Sequence, residues 1–405
     1  MAHYVIVGAS HAGVSFAEKM RQQGALDEIT IIDRLGGVPL QRPPLSKAYL
    51  GDEGDDESRF YLRSADWFEA QAIALIDGVG VEAIDRNHKS LSLSDGTMML
   101  YDTLVLALGA RPRRLPVAEM DAENVFVLRD GQDAKGLKEA LKTAQKAVVI
   151  GGGYIGLEAA ASMRKQGLDV HVIEAAERLL ARVASPEISQ SYFDLHSAHG
   201  VHIHNGVGVA ALRAKQGKIF GVTLSNGEQI SCDVLLVGIG VLPVIDIAEG
   251  AGLAVGNGIL TDYHYQTNDR SIFAIGDNVL AEGRYESRIE SIHNAQYGGH
   301  YLASRFTNGA PPAEEAPWFW SDQYDRKLQS AGIVPATSDD VRHIVRAGKR
   351  QGGLSVWSYK GDVLKAVESI NDPQAYMIGK ICLEKGVSPE ASAICDSAFD
   401  LKTLR

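Results

Sequence analysis

Two passages of strand, glycine-rich loop, helix and acid-terminated strand, with a gapless internal repeat behind them, predict an α/β fold for this 405-residue chain. The expected architecture is two Rossmann-like three-layer nucleotide-binding domains followed by a C-terminal α+β domain. The stronger passage begins at Ala147. Ala147 to Ile150 reads as a short buried strand, and Gly151, Gly153 and Gly156 then complete G-x-G-x-x-G around Tyr154 and Ile155. LEAAASMRKQG has helical spacing, and DVHVIE reads as a second strand ending on Glu174, 18 residues beyond Gly156. Glycines let the backbone approach a pyrophosphate, and the helix N-terminus offers orphan N–H groups and a positive dipole end. Glu174 stands where an acid accepts the 2′-OH of an adenosine ribose. The flanking strand, helix and acid lift a weak motif to a specific one.

The first passage opens almost at residue 1. YVIVG at 4–8 is a strand, G-A-S-H-A-G runs from Gly8 through Ser10, His11 and Ala12 to Gly13, and EITIID ends at Asp33. Ser10 replaces the second glycine; it is small, and its hydroxyl can hydrogen-bond to phosphate. A serine nucleophile would need G-x-S-x-G, and position 12 is alanine. Two nucleotide sites imply two cofactors.

Behind the fingerprints, SLSLSDG at 90–96 and GVTLSNG at 221–227 are both strands entering hairpin turns. Gly96 and Gly227, Asp102 and Asp233, Gly109 and Gly240, and Pro112 and Pro243 all share an offset of 131. The fingerprints are offset by 143, so the copies differ in length in between. A duplicated nucleotide-binding domain explains the pattern. Beyond residue 316 the chain alternates apolar strands around turns and then turns helical, as expected of an α+β domain.

Composition narrows the function. A net charge of −11 argues against a nucleic-acid partner. Cys232, Cys382 and Cys395 form no C-x-x-C pair and no metal-ligand spacing, so neither a dithiol centre nor a resident metal is expected. Their sparse, odd count suits a reducing compartment. The N-terminus enters a strand without a basic, apolar leader, and no long apolar segment follows; a cytoplasmic protein with no membrane association is expected. The run DEGDDE at 52–57 reads as a solvated loop whose spacing does not fit an EF-hand.

The loop that lacks a counterpart in the second copy, 36–50, is the most specific stretch. Gln41-Arg42-Pro43-Pro44-Leu45-Ser46-Lys47 stiffens two basic side chains beside two prolines, ahead of a helix-like segment. Here the chain resembles the ferredoxin reductases of the putidaredoxin reductase type, the flavoprotein component of bacterial oxygenase systems. The resemblance runs over essentially the whole sequence. It includes AIGD at Asp277, the pattern Glu290, Ser291, Asn294 and Ala295, and the segment APWFWSDQYDRKLQSAG. His293 departs from the family pattern.

The resemblance implies FAD and NADH as cofactors. Arg42 and Ser46 would lie near the FAD pyrophosphate, Lys47 near the ring, Asp277 at the ribityl or pyrophosphate part and Trp320 against the isoalloxazine. It also assigns to FAD the loop Gly8, Ser10, His11, Ala12 and Gly13, with Asp33, Pro43, Val81, Ala107, Gly109, Arg129, Ser291, Ile292 and His293. To the nicotinamide nucleotide it assigns Gly151, Gly153, Tyr154, Ile155, Gly156, Glu174, Arg182 and Gly240. Lys47 and Glu158 would form a carboxylate–ammonium pair beside the ring; the bland role for Glu158 is an acid in the first turn of its helix. Implied domains are 1–113 with 243–318 for FAD, 114–242 for NAD, and 319–405.

No cysteine stands near Lys47, which argues against disulfide and peroxidase chemistry. A [2Fe-2S] ferredoxin serving a cytochrome P450 or a ring-hydroxylating dioxygenase is the implied recipient of electrons. Rubredoxin, a quinone or monodehydroascorbate as acceptor, or an apoptosis-inducing-factor-like role through association, are the alternatives. An acidic protein docking an acidic ferredoxin needs a local basic patch, for which Arg305, Arg326, Lys327 and Lys380 are candidates.

Overall fold

Continuous apolar runs such as YVIV, ITII and TLVL have no polar face to show to water, which suits strands covered on both sides of a parallel sheet. The protein's structure, a computed structural model, describes residues 1–51 and 56–404. Most of the acidic run at 52–57 lies outside the described residues. The chain divides into two compact units: Met1–Gln41 with Gly54–Arg111 and Val241–Ala313, and Arg42–Glu53 with Pro112–Gly240 and Glu314–Arg405.

In the first unit the parallel sheet has the spatial order Ile272–Ala274, Thr103–Leu106, His3–Val7, Glu28–Asp33, Ile73–Asp77. Val5, Ile6, Ile31 and Leu104 to Leu106 are fully buried in it. The fingerprint helix His11–Gln22 packs against the helix Ile292–Phe306. That approach depends on Gly299, where a Cβ would fall 2.8 Å from the Ala12 carbonyl oxygen. A three-stranded antiparallel sheet, 81–100, contributes Ile84, Leu91 and Leu93 to the same core.

The second unit repeats the plan. Its parallel sheet runs His202–Asn205, Asp169–Glu174, Lys146–Ile150, Val234–Val237, Val125–Phe126, with helix Tyr154–Lys165 after the central strand. The antiparallel layer is Val209–Lys215, Lys218–Leu224 and Gln229–Ser231. Registers match between copies: Tyr4 faces Ile29 and Thr103, as Ala147 faces Val170 and Val234. Only the fifth strand differs in origin. The first sheet takes it from far downstream, at Ile272–Ala274, and the second from just upstream, at Val125–Phe126.

The C-terminal residues of this unit form a five-stranded antiparallel sheet, Trp318–Gln323, Arg326–Gly332, Val363–Ile370, Leu354–Lys360, Val341–Ala347. Helix Pro373–Glu384, capped by Asp372, lies on it through Ala375, Ile378 and Cys382, which share a core with Trp357 and Val367. Arg346, 4% exposed, donates to the carbonyls of Ile394, Asp396, Ser397 and Phe399, so a buried cation ties down the tail with four neutral acceptors. The basic loop forms one turn of 3-10 helix, Pro43–Ser46. The helix expected after it is instead a run of turns through Gly51, closed by Tyr49 N–H to Pro44 and Gly51 N–H to Lys47.

Helix Pro186–Ala198 starts on Ser185, whose backbone N–H donates to both carboxylate oxygens of Glu368, at 3.1 and 3.3 Å. An acid belongs at a helix N-terminus, but this one is buried. Burial, opposed by the hydrogen bonds from Ser185, pushes the Glu368 carboxyl up to about 7 from 4.5. Its contribution to stability is therefore fully present below about pH 4.5 and lost as pH rises to about 7. Glu368→Gln keeps an acceptor for Ser185 and removes the charge. It is expected to stabilise by on the order of 3 kcal/mol at pH 8 and to change little at pH 4. Urea unfolding at the two pH values measures this, and equal shifts at both would refute it.

Candidate functional site

Each fingerprint sits at the carboxyl end of its sheet, where open α/β folds bind ligands. In the first unit Gly8 follows strand His3–Val7 with φ +114°, and a Cβ there would fall 2.2 Å from the Ala107 carbonyl oxygen. A Cβ on Gly13 would fall 2.1 Å from the Gly8 carbonyl oxygen, so only glycine lets the helix start this close to the strand. Asp33 ends its strand and braces the loop: Oδ2 accepts from Ala9 N–H at 2.6 Å and Oδ1 from Leu35 N–H at 2.8 Å. Ala107 and Gly109 follow the next strand, and Gly109 N–H donates to Asn278 Oδ1 at 3.2 Å. Asp277 follows Ile272–Ala274, and its carbonyl accepts from Arg288. The loop, Asp33, Ala107, Gly109 and Asp277 thus follow the ends of four neighbouring strands.

The motif around Ser291 has local work to do. Ser291 caps helix Ile292–Phe306 by accepting from Asn294 N–H, and Asn294 returns its amide to the Ile289 carbonyl. Glu290 pairs with Arg288 at 2.7 Å. His293 is buried in the first turn of that helix, and Val81 starts a strand of the antiparallel layer.

The second fingerprint has the same geometry. Gly151 has φ +110°, its Cβ position lies 2.3 Å from the Gly238 carbonyl oxygen, and that of Gly156 lies 2.1 Å from the Gly151 oxygen. Glu174 Oε2 accepts from Gly152 N–H and Oε1 from Ala176 N–H, both at 2.7 Å. Arg182 reaches Gly240, where a Cβ would fall 3.0 Å from its guanidinium. Nothing lies within 4 Å of the Cβ position of Gly153. Ser10 stands at the equivalent place in the first copy with ordinary extended φ of −106°, so its side chain costs the fold nothing. The close backbone packing that only glycine allows at Gly8, Gly13, Gly151 and Gly156, with open space at Gly153, fits a pyrophosphate held by backbone at a helix N-terminus.

Also in the second unit, the structure brings Lys47 and Glu158 together: Nζ lies 2.6 Å from Glu158 Oε2, which also accepts from Ser46 Oγ at 2.5 Å. Glu158 is 4% exposed, so its charge depends on these partners. It is the fifth residue of helix Tyr154–Lys165, beyond the first turn. The expectation of a first-turn acid is corrected accordingly: the dipole does not explain Glu158, and the ammonium does.

Its other oxygen accepts from Ser321 Oγ at 2.6 Å; Ser321 in turn accepts from the Gln323 amide at 3.1 Å. Gln323 Oε1 is 2.7 Å from His196 Nε2, which must carry the proton that bridges them. Burial, only partly offset by this bond, drives the His196 pKa down to about 4, and the ring is neutral. Ser321, Gln323 and His196 went unnoticed in the sequence. The available signal was two polar residues at i and i+2 of a strand, on one face, where a core position calls for apolar ones.

Arg42 donates to the Arg129 carbonyl at 2.8 Å, and Ser162 Oγ to that of Ser46 at 2.9 Å, which fixes the basic loop. The Tyr154 ring lies 4.5 Å from that of Phe319. Trp320, Trp318, Lys327, Arg350 and Tyr376 line one cavity of the C-terminal sheet. Of the basic residues considered for docking, Lys380 is taken by Glu315 at 2.5 Å and Glu384 at 3.1 Å, and Arg326 by the Gly352 carbonyl. Lys327 is exposed on the cavity, and Arg305 is exposed near the end of helix Ile292–Phe306.

Two parallel sheets, each with a nucleotide fingerprint at its carboxyl end, define an oxidoreductase fold built for two dinucleotides. The chain belongs to the pyridine nucleotide-disulphide oxidoreductase family, which matches residues 2–299, and residues 318–405 match the reductase C-terminal family. It is 40% identical over 403 residues to rhodocoxin reductase of Rhodococcus erythropolis, covering 98% of this chain and 93% of that protein. The ferredoxin reductase for the CYP199A2 system of Rhodopseudomonas palustris superposes with a TM-score of 0.95 at 38% identity, covering 100% of this chain and 99% of that one. Putidaredoxin reductase, solved in covalent complex with putidaredoxin, gives 0.94 at 37% identity, covering 100% and 98%. Among the described residues no helix is long and apolar enough to cross a membrane.

Proposed function

We propose that the protein takes hydride from NADH onto FAD and passes electrons singly to a [2Fe-2S] ferredoxin that serves a cytochrome P450 or a ring-hydroxylating dioxygenase. The carrying observation is a pair of nucleotide fingerprints, the first with Ser10 for its second glycine, in a chain whose three cysteines are all unpaired. Electrons have a nucleotide entrance and no dithiol exit. Similarity over the whole length to ferredoxin reductases, one of them solved with its ferredoxin, supports the same recipient. When bound, the flavin supplies the exchange between hydride and single-electron chemistry.

The chain's own residues bind and position. Gly8 to Gly13, Asp33, Ala107, Gly109 and Asp277 would hold FAD through bare backbone and ribose-directed carboxylates, with Val81, Ser291, Ile292 and His293 beside it. Arg42, Pro43, Ser46, Lys47, Arg129 and Trp320 complete that set in this proposal. Gly151 to Gly156, Glu174, Arg182 and Gly240 would hold the nicotinamide nucleotide. Lys47 places a cation, and Glu158 its balancing charge, where negative charge accumulates on reduction. The three-domain division at 113/114, 242/243 and 318/319 and a cytoplasmic location belong to the same proposal; unpaired cysteines suit a reducing compartment.

Steady-state reduction of cytochrome c by NADH, with and without added [2Fe-2S] ferredoxin, tests the function. Strong stimulation by ferredoxin is expected; stimulation by rubredoxin alone, or none by either carrier, would overturn it. NADH should be preferred to NADPH, because a carboxylate at Glu174 repels a 2′-phosphate. Glu174→Ala should narrow the gap in kcat/KM by about 1–2 kcal/mol, roughly tenfold. Equal kcat/KM for both coenzymes in the parent would count against this role.

A further inference from the structure

Strand Asp169–Glu174 has an acid and an imidazole at i and i+2, and strand His202–Asn205 has two imidazoles at i and i+2. Residues two apart on a strand share a face. The strands pair in parallel with His171 opposite His202 and Ile173 opposite His204. Register alone therefore collects Asp169, His171, His202 and His204 on one face at the edge of the sheet. We propose that Asp169, His171 and His202 form a binding site for a divalent transition-metal ion of the zinc type, with His204 and Glu228 orienting it.

The candidate ligand atoms of these three residues all lie within 4.8 Å of one another. His202 Nε2 is 3.3 Å from Asp169 Oδ1, and His171 Nε2 is 3.8 Å from the same oxygen. Donors about 2.0–2.1 Å from a tetrahedral ion stand about 3.3–3.5 Å apart. One spacing already fits, and the 3.8 Å one closes with a small rotation of the Asp169 carboxylate, 38% exposed, which the side chain of His202, 59% exposed, has room to follow. Lys146 lies 3.6 Å from Asp169 Oδ2, leaving Oδ1 for the ion.

The remaining contacts prepare His171. Its Nδ1 lies 3.1 Å from His204 Nε2, and His204 Nδ1 lies 3.7 Å from Glu228 Oε2. Glu228 favours a proton on His204 Nδ1, so His204 Nε2 accepts and His171 Nδ1 donates. That leaves the lone pair of His171 Nε2 directed away from His204 and available to a metal. A ligand imidazole whose other nitrogen donates to a fixed acceptor is the usual second layer of a metal site. Two imidazoles and a single carboxylate, with water in the fourth place, suit zinc, nickel or copper rather than magnesium or calcium. The site lies at the amino end of a strand whose carboxyl end carries Glu174. It therefore clamps the edge of the nucleotide sheet and takes no part in hydride transfer.

Isothermal titration of the FAD-loaded, metal-stripped full chain with ZnCl2 and with NiCl2 tests this. One equivalent should bind with micromolar affinity or better, and the melting temperature should rise with metal concentration. His171→Ala and His202→Ala should each lower affinity at least 100-fold, and His204→Phe 10- to 100-fold. Flavin content and circular dichroism should match the parent in all three, and ferricyanide reduction should move less than twofold. A parent that binds no zinc or nickel below 100 μM, or binding indifferent to both His171→Ala and His202→Ala, would overturn the site. His204→Phe binding as tightly as the parent would remove its orienting role.

Discussion

Lys47→Met is expected to cost about 3 kcal/mol of stability and to slow flavin reduction by NADH at least tenfold. The stability figure follows from leaving one member of a buried ion pair behind, which typically costs about 3–5 kcal/mol. The low end applies because the Lys47 side chain is 21% exposed, whereas that of Glu158 is 4% exposed. Ser46 and Ser321 still donate to the stranded carboxylate, but two neutral hydroxyls do not balance a charge at that burial. The double variant Lys47→Met, Glu158→Leu should recover much of the loss, because no uncompensated charge remains. Urea unfolding of the parent, the two single variants Lys47→Met and Glu158→Leu, and the double variant gives the coupling, and stopped-flow absorbance of the flavin band gives the rate. A parent-like rate with a large coupling would make the pair purely structural. Parent-like values of both would end its role altogether.

Gly13→Ala and Gly156→Ala should have separable consequences of similar size. Each Cβ would fall 2.1 Å from a carbonyl oxygen of its own loop, at Gly8 and Gly151 respectively, and backbone cannot swing aside as a side chain can. Relief requires the helix to back away from the strand, at about 1–3 kcal/mol of strain. The loop it opens is the one that would hold a pyrophosphate. Gly13→Ala should therefore purify with little flavin. Gly156→Ala should purify yellow and bind NADH roughly 5- to 150-fold more weakly, the same strain expressed as affinity. Gly153→Ser, where a Cβ meets no protein atom within 4 Å, is the control that should fold like the parent. Normal NADH affinity in Gly156→Ala, or loss of both cofactors in both alanine variants, would refute the assignment of one nucleotide to each loop.

The strands EITIID and DVHVIE are observed at their predicted residues because apolar continuity, a preceding turn and a terminal acid all act locally. The D-G and N-G pairs at 95–96 and 226–227 do turn matching hairpins, but the returning strands are Met98–Leu100 and Gln229–Ser231, short pieces ahead of the strands expected from Tyr101 and Cys232. What stayed hidden is what only tertiary contact creates. Glu158 gave no local sign that its partners are 112 and 163 residues away, at Ser46 and Ser321. The sequence Pro-Pro-Leu-Ser-Lys showed a stiff loop but not that residues 42–51 pack in the unit of the second sheet. His171 and His202 have no metal-like spacing in sequence; only strand register puts them opposite one another. Lys380 read as a docking charge until Glu315 and Glu384 appeared beside it.

The opposite origins of the two fifth strands set an order of assembly during synthesis. The second sheet draws on residues 125–237 alone, so it can close as soon as Val237 has emerged from the ribosome. The first sheet must wait for Ile272, 166 residues after Leu106 (272 − 106). At about 5–20 residues per second that wait lasts roughly ten to thirty seconds. Throughout it, Thr103–Leu106 presents an unpaired row of N–H and C=O groups, the feature through which strands recruit strangers. The amino-terminal nucleotide fold is completed after the one that follows it, and its open edge is where a nascent chain of this protein is most exposed to pairing with a neighbour.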